Sequence, residues 1–173
     1  MKKIAVLFAD GTEEIEGLTP VDILRRAGAE VDIVSVGGEY LTGSHNVIVK
    51  ADRLVEAIDK TEYDAVVIPG GMPGATNIAS NSKAISLIEH AVKTDKLVAS
   101  ICASPAVVLS SNGFLKNKKA TCYPAKQFVD MMSENYTGAD VEIDENLITA
   151  NGPISAFKFS LEIVKKLGLE IKF

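Results

Sequence analysis

Leu97-Val98-Ala99-Ser100-Ile101-Cys102-Ala103-Ser104-Pro105 changes character at Cys102. The residues before it form a nearly continuous apolar run of strand length, as expected of a strand buried on both faces of a sheet. Those after it open a helix predicted to reach about Ser111, with Pro105 in the first turn, where a missing N–H costs nothing. The same strand signature stands in Ile4-Ala5-Val6-Leu7-Phe8 before Asp10-Gly11 and in Val31-Asp32-Ile33-Val34-Ser35-Val36 before Gly37-Gly38. It returns in Ala65-Val66-Val67-Ile68 before Pro69-Gly70-Gly71. Between these runs, Ile15, Leu18, Val21, Ile23, Leu24 and Ala27 recur at roughly helical spacing and stop at Gly28. Ala84, Ile85, Leu87, Ile88, Ala91 and Val92 repeat the pattern before Leu97.

Alternating strands and helices with short connections specify an open, mostly parallel sheet with helices on both faces, joined by right-handed crossovers. Leu41 to Val49 reads as an antiparallel hairpin. Beyond the Ala103 helix come a strand around Thr121-Cys122, a hairpin of Val141 to Asp144 with Leu147 to Ala150, and a last helix after Pro153. The expected fold is an α/β, flavodoxin-like three-layer sandwich with a small antiparallel extension. No repeat or Pro/Ser-rich linker divides the chain, and 173 residues suit one domain spanning 1–173 at roughly 150 residues per domain.

A net charge of -5, with basic residues scattered, argues against nucleic acid. No apolar run approaches the length of a membrane span, and the apolar stretch after Lys3 is too short for a signal peptide, so the expectation is a cytoplasmic chain. In that compartment the two cysteines, Cys102 and Cys122, read as thiols. The two histidines, His45 and His90, have no Cys or His at metal-ligand spacing, and no metal is expected.

In open α/β sheets ligands bind beyond the carboxyl ends of the strands, which directs attention to three segments. Cys102 sits on a strand-to-helix turn, close to helix N–H groups that would lower its pKa, in the manner of a nucleophile elbow. The competing reading is a small buried hydrophobe, and the local sequence does not choose. Pro69-Gly70-Gly71-Met72-Pro73-Gly74 lies at the same sheet edge, either as a plain turn or as a source of oxyanion-binding amides. Glu13-Glu14-Ile15-Glu16 opens the first helix, where carboxylates complement the dipole; Glu16 differs by lying near the apolar stripe, where burial would raise its pKa.

These segments, with Thr19 to Gly28, Asp64 to Gly71, Ile101 to Pro105 and Asn151-Gly152-Pro153, resemble the ThiJ/PfpI superfamily over nearly the whole chain. The similar branch is that of the animal parkinsonism-associated protein deglycase and its bacterial counterparts, with a class I glutamine amidotransferase-like fold. The resemblance implies a nucleophilic, redox-sensitive Cys102, a protonated partner in Glu16, and an oxyanion pocket of the Gly70, Gly71 and Ala103 amides. It further implies a cofactor-free enzyme for small reactive carbonyls, a glutathione-independent glyoxalase or deglycase-like hydro-lyase or hydrolase acting on methylglyoxal or its protein adducts. The alternative it leaves is a non-enzymatic oxidation sensor or redox chaperone using the same cysteine. A homodimer through the first helix and the neighbouring hairpin is also implied. The chain departs from the pattern at Tyr123, where the family often has histidine, and at Ala103, where the peptidase branch has histidine, which counts against a protease. His45 and Asn151 stand where arginines approach the site in the animal protein. Tyr123, Asn151 and His45 are thus expected to line the site, although from the residues alone His45, in a hairpin turn, and His90, on a helix rich in Lys and Glu, read as surface and Cys122 as packing.

Overall fold

The computed structural model describes residues 1–173. Its elements follow the chain as β1 (Lys3–Phe8), α1 (Glu14–Arg26), β2 (Glu30–Ser35), β3 (Tyr40–Thr42), β4 (Ile48–Lys50), β5 (Arg53–Leu54) and β6 (Ala65–Ile68). Then come α2 (Gly74–Ala79), α3 (Ser82–Lys93), β7 (Leu97–Ile101), a π-helical segment (Pro105–Ser110), α4 (Lys126–Met132), β8 (Val141–Asp144), β9 (Leu147–Ala150) and α5 (Ala156–Lys166). A seven-stranded sheet runs β5-β2-β1-β6-β7-β9-β8, and β3 and β4 form a separate two-stranded sheet. Every pairing in the large sheet is parallel except that of β8 with β9. The expected sandwich with its antiparallel extension is the observed one.

Alternation along β1 divides the core. Ile4, Val6 and Phe8 pack with Leu24 and Phe159 on the α1 and α5 side, and Ala5 and Leu7 pack with Ile78 and Leu87 on the α2 and α3 side. Central strands that are apolar on both faces therefore act as the partition between two cores, each closed by helices. α1 stops where Gly28 adopts φ +80, a conformation that its lack of a Cβ permits. α3 starts at Asn81, whose side chain accepts the N–H groups of Lys83 and Ala84.

Two local expectations are corrected. No strand forms at Thr121-Cys122: the Thr121 N–H is given to the Thr149 side chain at 2.9 Å and the Tyr123 N–H to the Cys102 carbonyl at 2.8 Å, and only Ala120 bridges Tyr136. The segment's donors are spent on individual acceptors rather than a ladder. The helix after Cys102 is π-helical over Pro105–Ser110, and the Ser111 N–H reaches back to the Ala106 carbonyl at 3.2 Å. This wider turn recurs at functional sites.

Candidate active site

At the carboxyl end of β7 the chain reverses through Cys102, which has φ +65. A non-glycine residue there carries strain on the order of 1–3 kcal/mol and persists only where its surroundings over-determine it. They do so from both sides, since the Cys102 N–H donates to Ala150 of β9 at 2.9 Å and its carbonyl accepts from Tyr123 at 2.8 Å. The thiol is thereby held half-buried at the sheet edge.

The first turn of α1 delivers Glu16 to the same point. The Glu13 carboxylate accepts the Glu16 N–H at 2.9 Å and starts the helix, and the Glu13 N–H donates to the Gly70 carbonyl at 3.0 Å. The Gly70 N–H in turn donates to Glu16 Oε2 at 2.9 Å. This pair of bonds locks α1 to the loop after β6. Gly70 is required there: a Cβ would stand 2.6 Å from both Cys102 Cβ and Glu16 Oε2. Glu16 is 0% exposed, and its second oxygen, Oε1, has no hydrogen-bond partner. Burial pushes its carboxyl up to about 7; the Cys102 thiol and the Gly70 amide oppose the rise and the Glu13 charge adds to it. Near neutral pH Glu16 is therefore poised between acid and carboxylate.

Cys102 differs from the expectation of a thiol acidified by a helix N-terminus. Burial and the ionised Glu16 beside it push the thiol well above its ordinary range, against the pull of the Ala103 and Gly71 amides. Cys102 and Glu16 share one site, so the first proton lost belongs to the pair rather than to either residue. A thiolate in this site is one hydrogen-bonded by a neutral Glu16 and by two amides.

Of the expected pocket amides, those of Gly71 and Ala103 face the sulfur, while that of Gly70 is engaged by Glu16. Tyr123 reaches the site through its backbone; the residue is 45% exposed and its ring lies over Gly152, where a Cβ would meet it at 3.2 Å. Asn151, just after β9, is turned towards the residue that precedes β8, donating to Asp140 Oδ1 at 3.0 Å and accepting from Ser155 at 2.6 Å. His45 comes no nearer than the rim, with Nδ1 3.2 Å from Glu14 and 3.6 Å from Glu13. Cys122 is buried in the core on the α2 and α3 side, whereas Cys102 packs towards the α1 and α5 side. His90 lies in the last turn of α3.

One contributor escapes a reading of the sequence. Ser104, fully buried, donates to the Pro69 carbonyl at 2.5 Å and ties the Gly70 loop to the cysteine turn. Its place between Cys102 and a first-turn proline is the available signal. Ser104→Ala leaves that carbonyl without its donor and is expected to destabilise the protein by about 1–3 kcal/mol, read as a lowered denaturation midpoint.

Comparison with known proteins gives a consistent result. Residues 2–166 match the DJ-1/PfpI family. Protein DJ-1 homolog B of Arabidopsis thaliana is 38% identical over 165 residues, covering 95% of this chain, which spans only 37% of that longer relative. A Pyrococcus horikoshii protein named a deglycase is 32% identical over 166 residues, covering 95% of this chain and 99% of its own. Among solved structures, oxidised Toxoplasma gondii DJ-1 superposes with a TM-score of 0.93 at 39% identity, covering 96% of this chain and 91% of that one.

Proposed function

The chain belongs to the DJ-1/PfpI family, and on that premise we propose that it is a cofactor-free, cysteine-dependent stress-response enzyme that converts small reactive carbonyls, methylglyoxal or its early protein adducts, to hydroxy acids. The observation that carries this reading is a fully buried carboxyl, poised near neutral pH, set against a cysteine on a strained turn. General acid–base groups work best with a pKa near the operating pH.

The Cys102 thiolate attacks the aldehyde carbon of methylglyoxal, forming a C–S bond while the carbonyl electron pair moves to oxygen. The Gly71 and Ala103 amides face that oxygen, and Glu16 supplies its proton. Glu16, now a carboxylate, takes the proton from the same carbon, and protonation of the neighbouring carbon completes the internal redox shift to a lactoyl thioester. Water then cleaves the C–S bond, giving lactate and the free thiol. The net change is addition of one water to methylglyoxal. Tyr123 in place of histidine leaves Glu16 as the side chain in contact with Cys102 that can act as the base.

The test is lactate formation from methylglyoxal by purified protein without glutathione, with Cys102→Ser as reference. A wild type no faster than the variant defeats the enzyme reading and favours an oxidation sensor. The unpartnered Glu16 Oε1 supports that second reading, because a proton there would donate to a sulfinate oxygen. It is read by mass spectrometry as stable addition of two oxygens to Cys102 under mild peroxide.

The proposal includes a homodimer. Ile15 at the start of α1 and Tyr40, Val47 and Ile48 of the hairpin are exposed apolar side chains on the implied face. Sedimentation velocity is expected to give twice the chain mass, and Ile48→Asp to give the monomer.

A further inference from the structure

Glu13, Glu14 and His45 do not belong to one sequence motif, yet the turn between β3 and β4 folds back over the start of α1 and brings one ligand atom from each within 4.8 Å of the others. We propose that these three side chains form a binding site for a zinc-like divalent cation on the rim of the Cys102 pocket.

The distances suit such an ion. Tetrahedral zinc with bonds of about 2.1 Å has neighbouring ligand atoms about 3.4 Å apart. His45 Nδ1 stands 3.2 Å from Glu14 Oε2 and 3.6 Å from Glu13 Oε1, on either side of that edge length. Three protein ligands of this kind leave a fourth position open. An imidazole nitrogen with two carboxylates favours zinc over magnesium or calcium, which prefer oxygen donors in larger number.

A second observation points to a cation independently of this spacing. The Glu13 and Glu14 side chains are only 10% and 11% exposed, and neither has a lysine or arginine within ion-pairing distance; His45 is their sole basic partner. Glu14 is otherwise well supplied, accepting the His45 and Val47 N–H groups on Oε1 and the Ser44 hydroxyl on Oε2. Glu13 is not. Its Oε2 takes the Glu16 N–H, while Oε1 has no hydrogen bond in the protein and is aimed at His45. An oxygen on a nine-tenths buried carboxylate that takes no donor from the protein is a ligand atom left available to a cation. His45 itself is 74% exposed in the single chain, so its ring can move the few tenths of an ångström needed.

The experiment is calorimetric titration of Zn²⁺ into chelator-stripped protein carrying Cys102→Ser, which removes the competing thiol. One ion per chain is expected, undisplaced by excess Mg²⁺, and Co²⁺ substitution should give the visible bands of a tetrahedral nitrogen–oxygen site. His45→Ala and Glu13→Gln should each weaken binding by at least about tenfold. Neither change threatens the fold: His45 is exposed, and the amide introduced by Glu13→Gln retains an oxygen for the Glu16 N–H. Absence of binding, or equal affinity in both variants, which would mark an adventitious ion elsewhere, overturns the proposal.

Discussion

Cys102→Ser is expected to lower lactate formation from methylglyoxal by at least about a hundredfold, as removal of a nucleophile does when no neighbouring group can replace it. The substitution keeps the shape of the turn: serine accepts the same φ of +65, and the backbone bonds to Ala150 and from Tyr123 do not involve the side chain. What changes is acidity. Glu16, with its carboxyl near 7, can share a proton with a thiol, but a hydroxyl holds its proton far too tightly for that carboxylate to remove. Enzymes that activate serine place a stronger base such as histidine or lysine beside it, and this pocket has tyrosine at 123, with its ring turned over Gly152. Retention of more than a tenth of wild-type turnover in the serine variant would mean that the chemistry lies elsewhere.

How much of this can be read in advance differs from element to element. β1, β2, β6 and β7 are legible because a strand covered on both faces is apolar at every position, and no periodicity has to be resolved against noise. The β8–β9 hairpin is legible from its flanking turn residues. Thr121-Cys122 is not, because its apolar, β-branched composition reflects burial against Thr149 and the α2-side core rather than a ladder. At the site, Cys102 and Glu16 stand out from their position at strand and helix ends. The destination of the Gly70 N–H does not, since the same Gly-Gly turn can aim its amides at the sulfur or at the carboxyl, and only packing against α1 decides for Glu16. The direction of the Cys102 shift is hidden for a related reason: the helix end is visible in sequence, but the depth of burial and the adjacent Glu16 charge, which outweigh it, are not. His45 shows no ligand spacing in the sequence because its partner Glu14 lies 31 residues away along the chain.

Glu16→Gln is expected to stabilise the protein at alkaline pH while slowing turnover by about ten- to a hundredfold through loss of the proton shuttle. The stability effect follows from linkage. The Glu16 carboxyl is raised from an ordinary 4.5 to about 7 in the folded protein, mainly by burial. Below pH 4.5 both the folded and the unfolded chain hold the proton, and the group has no effect. As pH rises from there, the unfolded chain releases its proton first, so folding is progressively disfavoured until the folded group also ionises near 7, above which the penalty is constant. At about 1.4 kcal/mol per pH unit of separation, the full penalty is on the order of 3 kcal/mol. Glutamine keeps an oxygen for the Gly70 N–H and puts a neutral amide where Oε1 has no partner, and it never ionises. In the presence of a chelator, the wild-type denaturation midpoint should fall between about pH 5 and pH 8 by more than that of the variant, with the gap opening across the interval from 4.5 to 7. Parallel pH profiles for the two proteins would show that Glu16 is ionised throughout, and with it would go the proton that the proposed chemistry passes to the substrate oxygen.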